Sequence, residues 1–493
     1  MEKCYLAFDL GASSGRGIIG KITNGKMTLN EIHRFDNGPT EMNGCQHWDF
    51  DRLSSEIVTG IQKALATGEK ITSIAIDTWG VDYLLVKKDG APARHPYHYR
   101  DSRTDGIPKE VFETIISETE LYQRTGIQMM QLNTIYQLVS HKRIHPEDME
   151  NSVLLLMPDA LSWMLCGDMT CEYTEATTTN LLDPHARDWD WTLIDKLGLP
   201  RGIFPEITAS CTEVGKLRPE LCDKLNCEPI PVVKVGAHDT ASAVAAVPAP
   251  TEGDWCYISC GTWALLGAEL DEPYISEDAR KAPFTNEGCI DGKIRFLTNI
   301  MGTWLFQETR RVRRAKGETV SYNDMESAAK AAEPLKFLIN PNDSSFLAPA
   351  DMTQAIRDFC SNTGQGDLYD DGALVRCIYD SLALFFRSKV KALESLLGVK
   401  YACLNMVGGG TKDQLLMQLT ADALGIPVAA GPVEATAVGN ILGQAIAGKE
   451  LDDVKEAREL VKASFPVIMY YPDESSRNAW DKAATEFEKI ING

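Results

Sequence analysis

Asp239 is the residue best placed to do chemistry in this chain of 493 residues. An apolar strand over 231–235 reaches it through Gly236-Ala237-His238, and an Ala-rich helix over 241–247 follows. A carboxylate delivered by a strand to the first turn of a helix is favoured in its charged form by the helix dipole and by free N–H groups. There it either accepts a proton from an attacking hydroxyl or caps the helix. His238 beside it is either a hydrogen-bond donor to a substrate or a packed ring. A second acid, Asp9, ends the strand that opens the chain, where it could hold a divalent cation through water.

Asp9 is followed by Leu10-Gly11-Ala12-Ser13-Ser14-Gly15-Arg16, a turn of small residues, and then by a second apolar run. This reads as a hairpin whose tip exposes backbone N–H groups to an anion such as phosphate. The pattern recurs at Tyr257-Ile258-Ser259-Cys260-Gly261-Thr262-Trp263-Ala264, where Thr262 either reaches a phosphate or stabilises its own turn. Gly408-Gly409-Gly410, after a strand over 401–407 and before a helix near Lys412, allows close backbone approach to a nucleotide. Trp79 and Gly80 fall at the end of a buried strand over 71–76, where ligands collect in open α/β sheets.

The elements that must position these groups are also legible. Residues 26–34 continue the opening hairpin as a third strand, and 51–66 has helical spacing with Asp51 as its cap. Residues 153–157 and 294–300 read as strands, and 372–397 as a long helix ended by Gly398. Strands alternate with helices in both halves, which gives an α/β class. The Pro/Gly-rich segment 248–253 separates an expected first domain, 1–247, from a second, 254–493, and reads as a hinge. Arg310-Arg311-Val312-Arg313-Arg314-Ala315-Lys316, the one basic run, reads as a solvated helix end.

The formal net charge of −21 argues against a nucleic acid or an anionic membrane as partner. No apolar run approaches the ~18 residues of a membrane span, and the first residues do not read as a signal peptide. The 13 cysteines are scattered without metal-ligand spacing and read as reduced thiols of a cytoplasmic protein.

Two phosphate hairpins half a chain apart resemble the layout of the sugar kinase, heat-shock protein and actin superfamily. More specifically, FDLGASSGR, IDTWGVDY, YRDSRT, HDTASAV, GTWALLG, NIMG, INPND, VGGG and AGPVEATAVGN, in this order, resemble the FGGY carbohydrate kinases over nearly the whole chain. The resemblance implies a two-lobed, actin-like (ribonuclease H-like) α/β fold with mixed sheets flanked by helices. It implies ATP-dependent phosphorylation of the 1-hydroxyl of L-rhamnulose, with L-fuculose or xylulose as alternative ketoses. An actin-like ATPase that is not a kinase is a further alternative, against which HDTASAV argues. Ala12, Ser13, Ser14, Gly15, Arg16 and Thr262 are implied at the ATP phosphates, with Gln307 and Gly409 also lining the nucleotide site. Gly80, His238, Asp239, Thr240 and Asn299 are implied at the sugar, Asp239 as proton acceptor, and Asp9 near Mg2+. The implied partners are the sugar and ATP alone, with no protein partner. Ala237 and Cys260 stand where relatives usually carry Ser, and Asp413 where many carry Asn, an exchange that bears on nucleotide preference.

Overall fold

The computed structural model describes residues 3–250 and 253–492. The chain forms two units, one of Met1–Pro248, Glu269–Phe296 and Ala435–Phe465, the other of Ala249–Ala268, Leu297–Glu434 and Pro466–Gly493. The sequence suggests a single crossing between 247 and 254. The chain does cross there, after Pro248, but the C-terminal half then returns two segments to the first unit. Thr251 and Glu252 of the expected hinge lie outside the described residues.

The first unit is built on a six-stranded sheet in the order Thr212–Lys216, Pro231–Lys234, Ile71–Thr78, Lys3–Leu10, Ser14–Thr23, Lys26–Asp36. The Pro231–Lys234, Ile71–Thr78 and Lys3–Leu10 strands are mutually parallel, and their neighbours on either side are antiparallel. The central strands read as unbroken apolar runs because helices cover both of their faces. On one face the Phe50–Ala66 helix buries Leu53, Ile57, Ile61 and Ala64, and Gly60 lies so near Phe8 that a β-carbon there would fall 2.4 Å from its ring. The cap of this helix is Asp49, whose carboxylate accepts from the Arg52 N–H, not Asp51, which sits within the first turn.

The Ala435–Ala447 helix, returned from the C-terminal half, packs Ile441 against Gly20. It is also pinned by polar groups. The Gln444 amide accepts from the Ser73 hydroxyl at 2.7 Å and donates to the Leu6 carbonyl at 3.1 Å. The same helix crosses the Asp239–Ala245 helix at Gly439, where a β-carbon would lie 1.7 Å from the Ser242 carbonyl oxygen. Glycine is required there by backbone contact, independently of any special φ.

In the second unit the Cys256–Cys260 strand pairs antiparallel with Trp263–Leu270 and parallel with Leu404–Val407. Val428–Ala430 continues the sheet in parallel and Ile468–Tyr470 closes it antiparallel. The long helix, Asp371–Leu397, starts on the Asp370 cap and ends with Gly398 in the left-handed region, φ 70°. No helix among the described residues is long and apolar enough to cross a membrane.

Gly439→Ala tests the helix crossing that carries Asp239. The added methyl must force two backbones apart, and overpacking of this kind costs about 1–3 kcal/mol. Thermal unfolding should show a lower Tm than wild type, whereas Gly202→Ala, where a β-carbon meets nothing within 4 Å, should be neutral. A Gly439→Ala protein with unchanged Tm would contradict the close crossing.

Candidate active site

The parallel register of the first unit places Asp9 directly beside Asp77. The next strand continues past Lys234, and the Thr78 N–H donates to the Ala237 carbonyl at 2.9 Å, so His238 bridges to Thr78. The carboxyl ends of three adjacent parallel strands thus deliver Asp9, Asp77 and Asp239 to one neighbourhood, the usual location of ligands in an α/β sheet.

Asp77 is fully buried; one carboxylate oxygen accepts from the Asn440 amide at 2.6 Å and the other has no partner among the described residues. Burial pushes its carboxyl well up, and the charges of Asp9 and Asp239 add to that, against the Asn440 hydrogen bond and the Arg16 charge. Asp9 is ion-paired with Arg16, its antiparallel partner across the hairpin. The Asp239 carboxyl is raised as well, by burial above all, with His238 and Thr240 pulling it down and Asp9 pushing it up. The sequence reading expects the helix dipole to favour the charged form; in the structure loss of water outweighs it. The helix begins at Asp239 itself with His238 as the cap residue, so capping does not account for this acid.

His238 sits at the centre of a second group. Its Nε2 lies 3.4 Å from Asp239, and its Nδ1 lies 3.3 Å from Glu287 and 3.2 Å from the Arg295 guanidinium. Arg295 is completely buried, donating to the Gly288 carbonyl at 2.8 Å and to Glu287 at 3.2 Å. Burial pushes the Glu287 carboxyl up, but His238 and Arg295 prevail and hold it below the usual range. Thr240 donates its hydroxyl to Asp239 at 3.2 Å.

Beside these acids the chain makes an unusual turn. Val81 has φ 72°, a strained conformation for a β-branched residue. It is held by the Thr178 hydroxyl accepting from its N–H at 3.1 Å and by the Thr134 hydroxyl donating to its carbonyl at 2.6 Å. Gly80 lies against Thr178, where a β-carbon would approach a methyl to 3.1 Å. Asp82 accepts from the Trp48 and Trp79 indoles at 2.6 and 3.1 Å, the Gln137 amide at 2.9 Å and the Tyr99 N–H at 3.2 Å. Burial pushes Asp82 up to about 6, with the Trp48, Gln137 and Trp79 donors pulling it back. Trp79 is buried and packs tilted against Trp48, ring centroids 3.9 Å apart, so it belongs to the core beside Asp82.

The first small-residue hairpin, proposed from the sequence to hold phosphate, has the expected antiparallel form. The Gly11 N–H donates to the Ser14 carbonyl at 2.9 Å, Asn37 closes the turn from outside, and Ser13 is exposed. Gly15 is small for a second reason, since a β-carbon there would fall 2.1 Å from the Phe35 ring.

The second unit gathers its own candidates. Thr303 and Trp304, at the start of the Trp304–Ala315 helix, donate their N–H groups to the Gly261 and Thr262 carbonyls at 3.0 and 3.2 Å. Gln307, one turn on, reaches the Thr303 hydroxyl at 3.0 Å and the Thr262 hydroxyl at 3.4 Å. In the triple glycine, β-carbons at Gly408 and Gly410 would press on Cys260 at 2.9 and 2.3 Å, whereas one at Gly409 would meet nothing within 4 Å. Two of the glycines are therefore demanded by packing, and the third faces open space. Asp413 caps the Gln414–Leu424 helix, accepting from the Leu416 N–H at 3.0 Å and from the Tyr379 hydroxyl at 2.5 Å. Asn299 accepts at its carbonyl from Asn342, at 2.9 Å.

Sequence reasoning did not assign roles to Glu287, Arg295 or Asn440. Glu287 and Arg295 lie in segments without motif character, and Asn440 ends the AGPVEATAVGN segment, to which no role was attached; only the return of 269–296 and 435–465 to the first unit brings them to His238 and Asp77. A buried arginine surrounded by apolar strand residues, Ile294-Arg295-Phe296-Leu297, was the one available signal. Elsewhere in this unit Glu269, Cys289 and Asp291 bring ligand atoms within 4.8 Å of one another, but Glu269 is already paired with Arg458 at 3.0 Å.

Gly409→Leu separates packing from binding. Its Tm should match wild type, because the added side chain meets no protein atom near its β-carbon. If Gly409 borders the nucleotide, KM for ATP should rise at least about tenfold, a loss of about 1.4 kcal/mol. An unchanged KM would remove Gly409 from the nucleotide site.

Two family profiles cover most of the chain: the N-terminal domain of the FGGY family of carbohydrate kinases over residues 4–246 and its C-terminal domain over 256–448. A rhamnulokinase of Bacteroides thetaiotaomicron is 43% identical over 492 residues, spanning 100% of both chains. A rhamnulokinase of Bacillus subtilis is 39% identical over 474 residues, 96% of each chain. Among solved structures, a ligand-bound xylulose kinase from Lactobacillus acidophilus superposes with TM-score 0.80 at 16% identity, covering 99% of this chain and 98% of that one. Plasmodium falciparum glycerol kinase with ADP gives TM-score 0.79 at 16% identity, with 99% and 98% covered. These structures share the fold, and the profile matches with the full-length identity establish that the chain belongs to the FGGY family of carbohydrate kinases.

Proposed function

We propose that this kinase transfers the terminal phosphoryl group of ATP to the 1-hydroxyl of L-rhamnulose, giving L-rhamnulose 1-phosphate and ADP in L-rhamnose catabolism. The observation that carries the chemistry is Asp239, an acid at the start of a helix whose proton affinity is raised by burial while His238 and Thr240 hold it in place. The choice of sugar is supported by full-length identity to rhamnulokinases.

The sugar hydroxyl oxygen attacks the terminal phosphorus, the bond from that phosphorus to the bridging oxygen breaks, and ADP leaves with the electron pair. The hydroxyl proton passes to Asp239. Phosphoryl transfer has a loose transition state, so the acid acts mostly by orienting the nucleophile. A carboxyl raised above its ordinary range is a stronger base than a solvent-exposed one. Gly80, His238, Thr240 and Asn299 are the proposed sugar contacts. On the first unit Ala12 to Arg16 would hold phosphates; on the second Thr262, Gln307 and Gly409 would hold the nucleotide.

Magnesium is expected with ATP, and the residues fit it. Asp77 keeps one buried carboxylate oxygen without a partner, beside Asp9, and hard oxygen donors of this kind suit the ion. Bound there, magnesium would offset the mutual repulsion of these acids and neutralise charge on the phosphates. Asp9 would hold it, through water. A cytoplasmic location, where ATP is supplied, agrees with this reading.

Asp239→Asn keeps the size and loses the base, so sugar-dependent turnover should fall by roughly 10²–10⁴-fold with ATP binding and Tm little changed. Wild-type kcat/KM should decline as pH falls through the raised Asp239 pKa, because protonation removes the acceptor. The residual activity of Asp239→Asn should lack that decline. Near-wild-type turnover in this variant would exclude Asp239 from the mechanism.

The sugar is tested by a side-by-side assay of ketoses at saturating ATP and magnesium. A wrong epimer leaves buried polar groups unpaired at about 1–3 kcal/mol each. L-rhamnulose should give the highest kcat/KM, with L-fuculose and D-xylulose at least ~10-fold lower. Equal or better use of either competitor would overturn the sugar assignment and leave the kinase class standing.

A further inference from the structure

The basic run at 310–316, which the sequence alone leaves as an ordinary helix end, forms a more definite surface. Gln307, Arg310, Arg311 and Arg314 stand at i, i+3, i+4 and i+7 of the Trp304–Ala315 helix, on one face. With Ala315 they line a cavity of 400 Å³ on the second unit. In a chain of formal charge −21, a groove walled by three guanidiniums runs against the background.

The cations are not equivalent. Arg311 is neutralised by Glu308, its Nε 2.9 Å from either carboxylate oxygen. Arg313 is bound to Glu318 at 2.7 Å and Lys316 to Asp351 at 2.7 Å. Arg310 donates through Nε to the Val320 carbonyl at 3.0 Å and lies over the Tyr322 ring at 4.6 Å. Those contacts fix the plane of its guanidinium without using its Nη groups. Arg314 is exposed and makes neither an ion pair nor a hydrogen bond among the described residues. The charge left uncompensated is therefore the charge in the groove. Complementing the helix dipole accounts for cations in the last turn, but not for a pre-oriented Arg310 further back.

The groove opens at Gln307, which touches Thr262 and Thr303 at the second phosphate hairpin. It runs seven residues along the helix to Arg314, about 10 Å at the helical rise. We propose that Arg310 and Arg314, with Gln307 at the near end, bind a polyphosphate anion, presented either by the tail of the nucleotide or by free polyphosphate. Guanidinium planes hold phosphate oxygens in pairs, which a lysine surface would not. Only the place of Gln307 rests on the nucleotide-site reading above; the cationic groove stands independently.

The test is calorimetric titration of the full chain with inorganic tripolyphosphate and, separately, with a non-hydrolysable ATP analogue. Wild type should bind tripolyphosphate with an affinity that falls as salt is added. Arg314→Gln should weaken it about tenfold or more, the usual worth of a charged hydrogen bond, with Tm unchanged because Arg314 has no internal partner. If the ATP analogue weakens in parallel and competes with tripolyphosphate, the groove serves the nucleotide's tail. If the two bind together and only tripolyphosphate is lost, it serves the free anion. Wild type that fails to bind tripolyphosphate, or Arg314→Gln that binds it equally well, overturns the proposal. Gln307→Ala separates the two readings. Unchanged binding of the ATP analogue to it, alongside loss of tripolyphosphate in Arg314→Gln, removes Gln307 from the nucleotide site and keeps the groove. The opposite pattern keeps the nucleotide site and removes the groove.

Discussion

Three carboxylates at the ends of adjacent parallel strands repel one another, and much of the first unit serves to hold them there. Parallel pairing puts Asp9 beside Asp77 with no freedom to separate, and the crossover into the Asp239–Ala245 helix adds the third acid. Each has a different compensation. Arg16 pairs Asp9 across the hairpin, Asn440 donates to Asp77, and His238 faces Asp239. None of these neutralises Asp77, which is the most deeply buried and keeps an unpaired oxygen. Like charges in low dielectric raise the cost of ionisation, so the cluster is destabilising in proportion to how useful it is to a cation or a proton. Stability and function oppose each other at this point, and the surrounding packing must supply the difference.

That packing explains why the first unit reclaims segments from the C-terminal half. The Ala435–Ala447 helix brings Asn440 to Asp77 and Gln444 to Ser73 and Leu6, using two amides one turn apart on a face that otherwise consists of small and aliphatic side chains. Residues 285–295 bring Glu287 and Arg295 to His238 in the same way. The buried Arg295 has its charge paired by Glu287 and its Nε bonded to a backbone carbonyl, while one Nη finds no partner among the described residues; the other Nη reaches the imidazole that faces the acid.

The local parts of this arrangement were legible in the sequence because local chemistry determines them. Strands with buried-type runs, the small-residue hairpin tips, the Gly398 cap and the strand-to-helix delivery of Asp239 depend on neighbours a few residues away. Boundaries slipped where two local solutions compete: Asp49 and Asp51 are both good caps, and the chain takes the first. The long-range parts were not legible. Nothing near Asn440 or Arg295 indicates that either belongs with Asp77 or His238, since partners 363 and 57 positions apart leave no spacing to read. The sign of the Asp239 shift was likewise hidden, because a dipole is a property of the helix whereas burial is a property of everything packed around it.

The glycines show the same division. Gly408 and Gly410 look like a single nucleotide motif with Gly409, yet the two outer ones are small because Cys260 lies against them. The serine that the family resemblance leads one to expect at 260 would set a hydroxyl where a sulfur now fills the space; Cys260 is buried, and burial pushes its thiol up to about 12, so it remains a neutral packing group. Asp413, the other departure, is occupied by a helix cap and the Tyr379 hydroxyl, and burial raises its carboxyl. An acid so engaged carries less free charge towards a nucleotide than its type suggests; an asparagine could accept from the Leu416 N–H through its one carbonyl oxygen, but its amide nitrogen would have to donate to the Tyr379 hydroxyl, which here donates to the second Asp413 oxygen. The exchange would thus keep the helix cap and reverse the hydrogen bond with Tyr379, a consequence of capping geometry that the motif itself does not display.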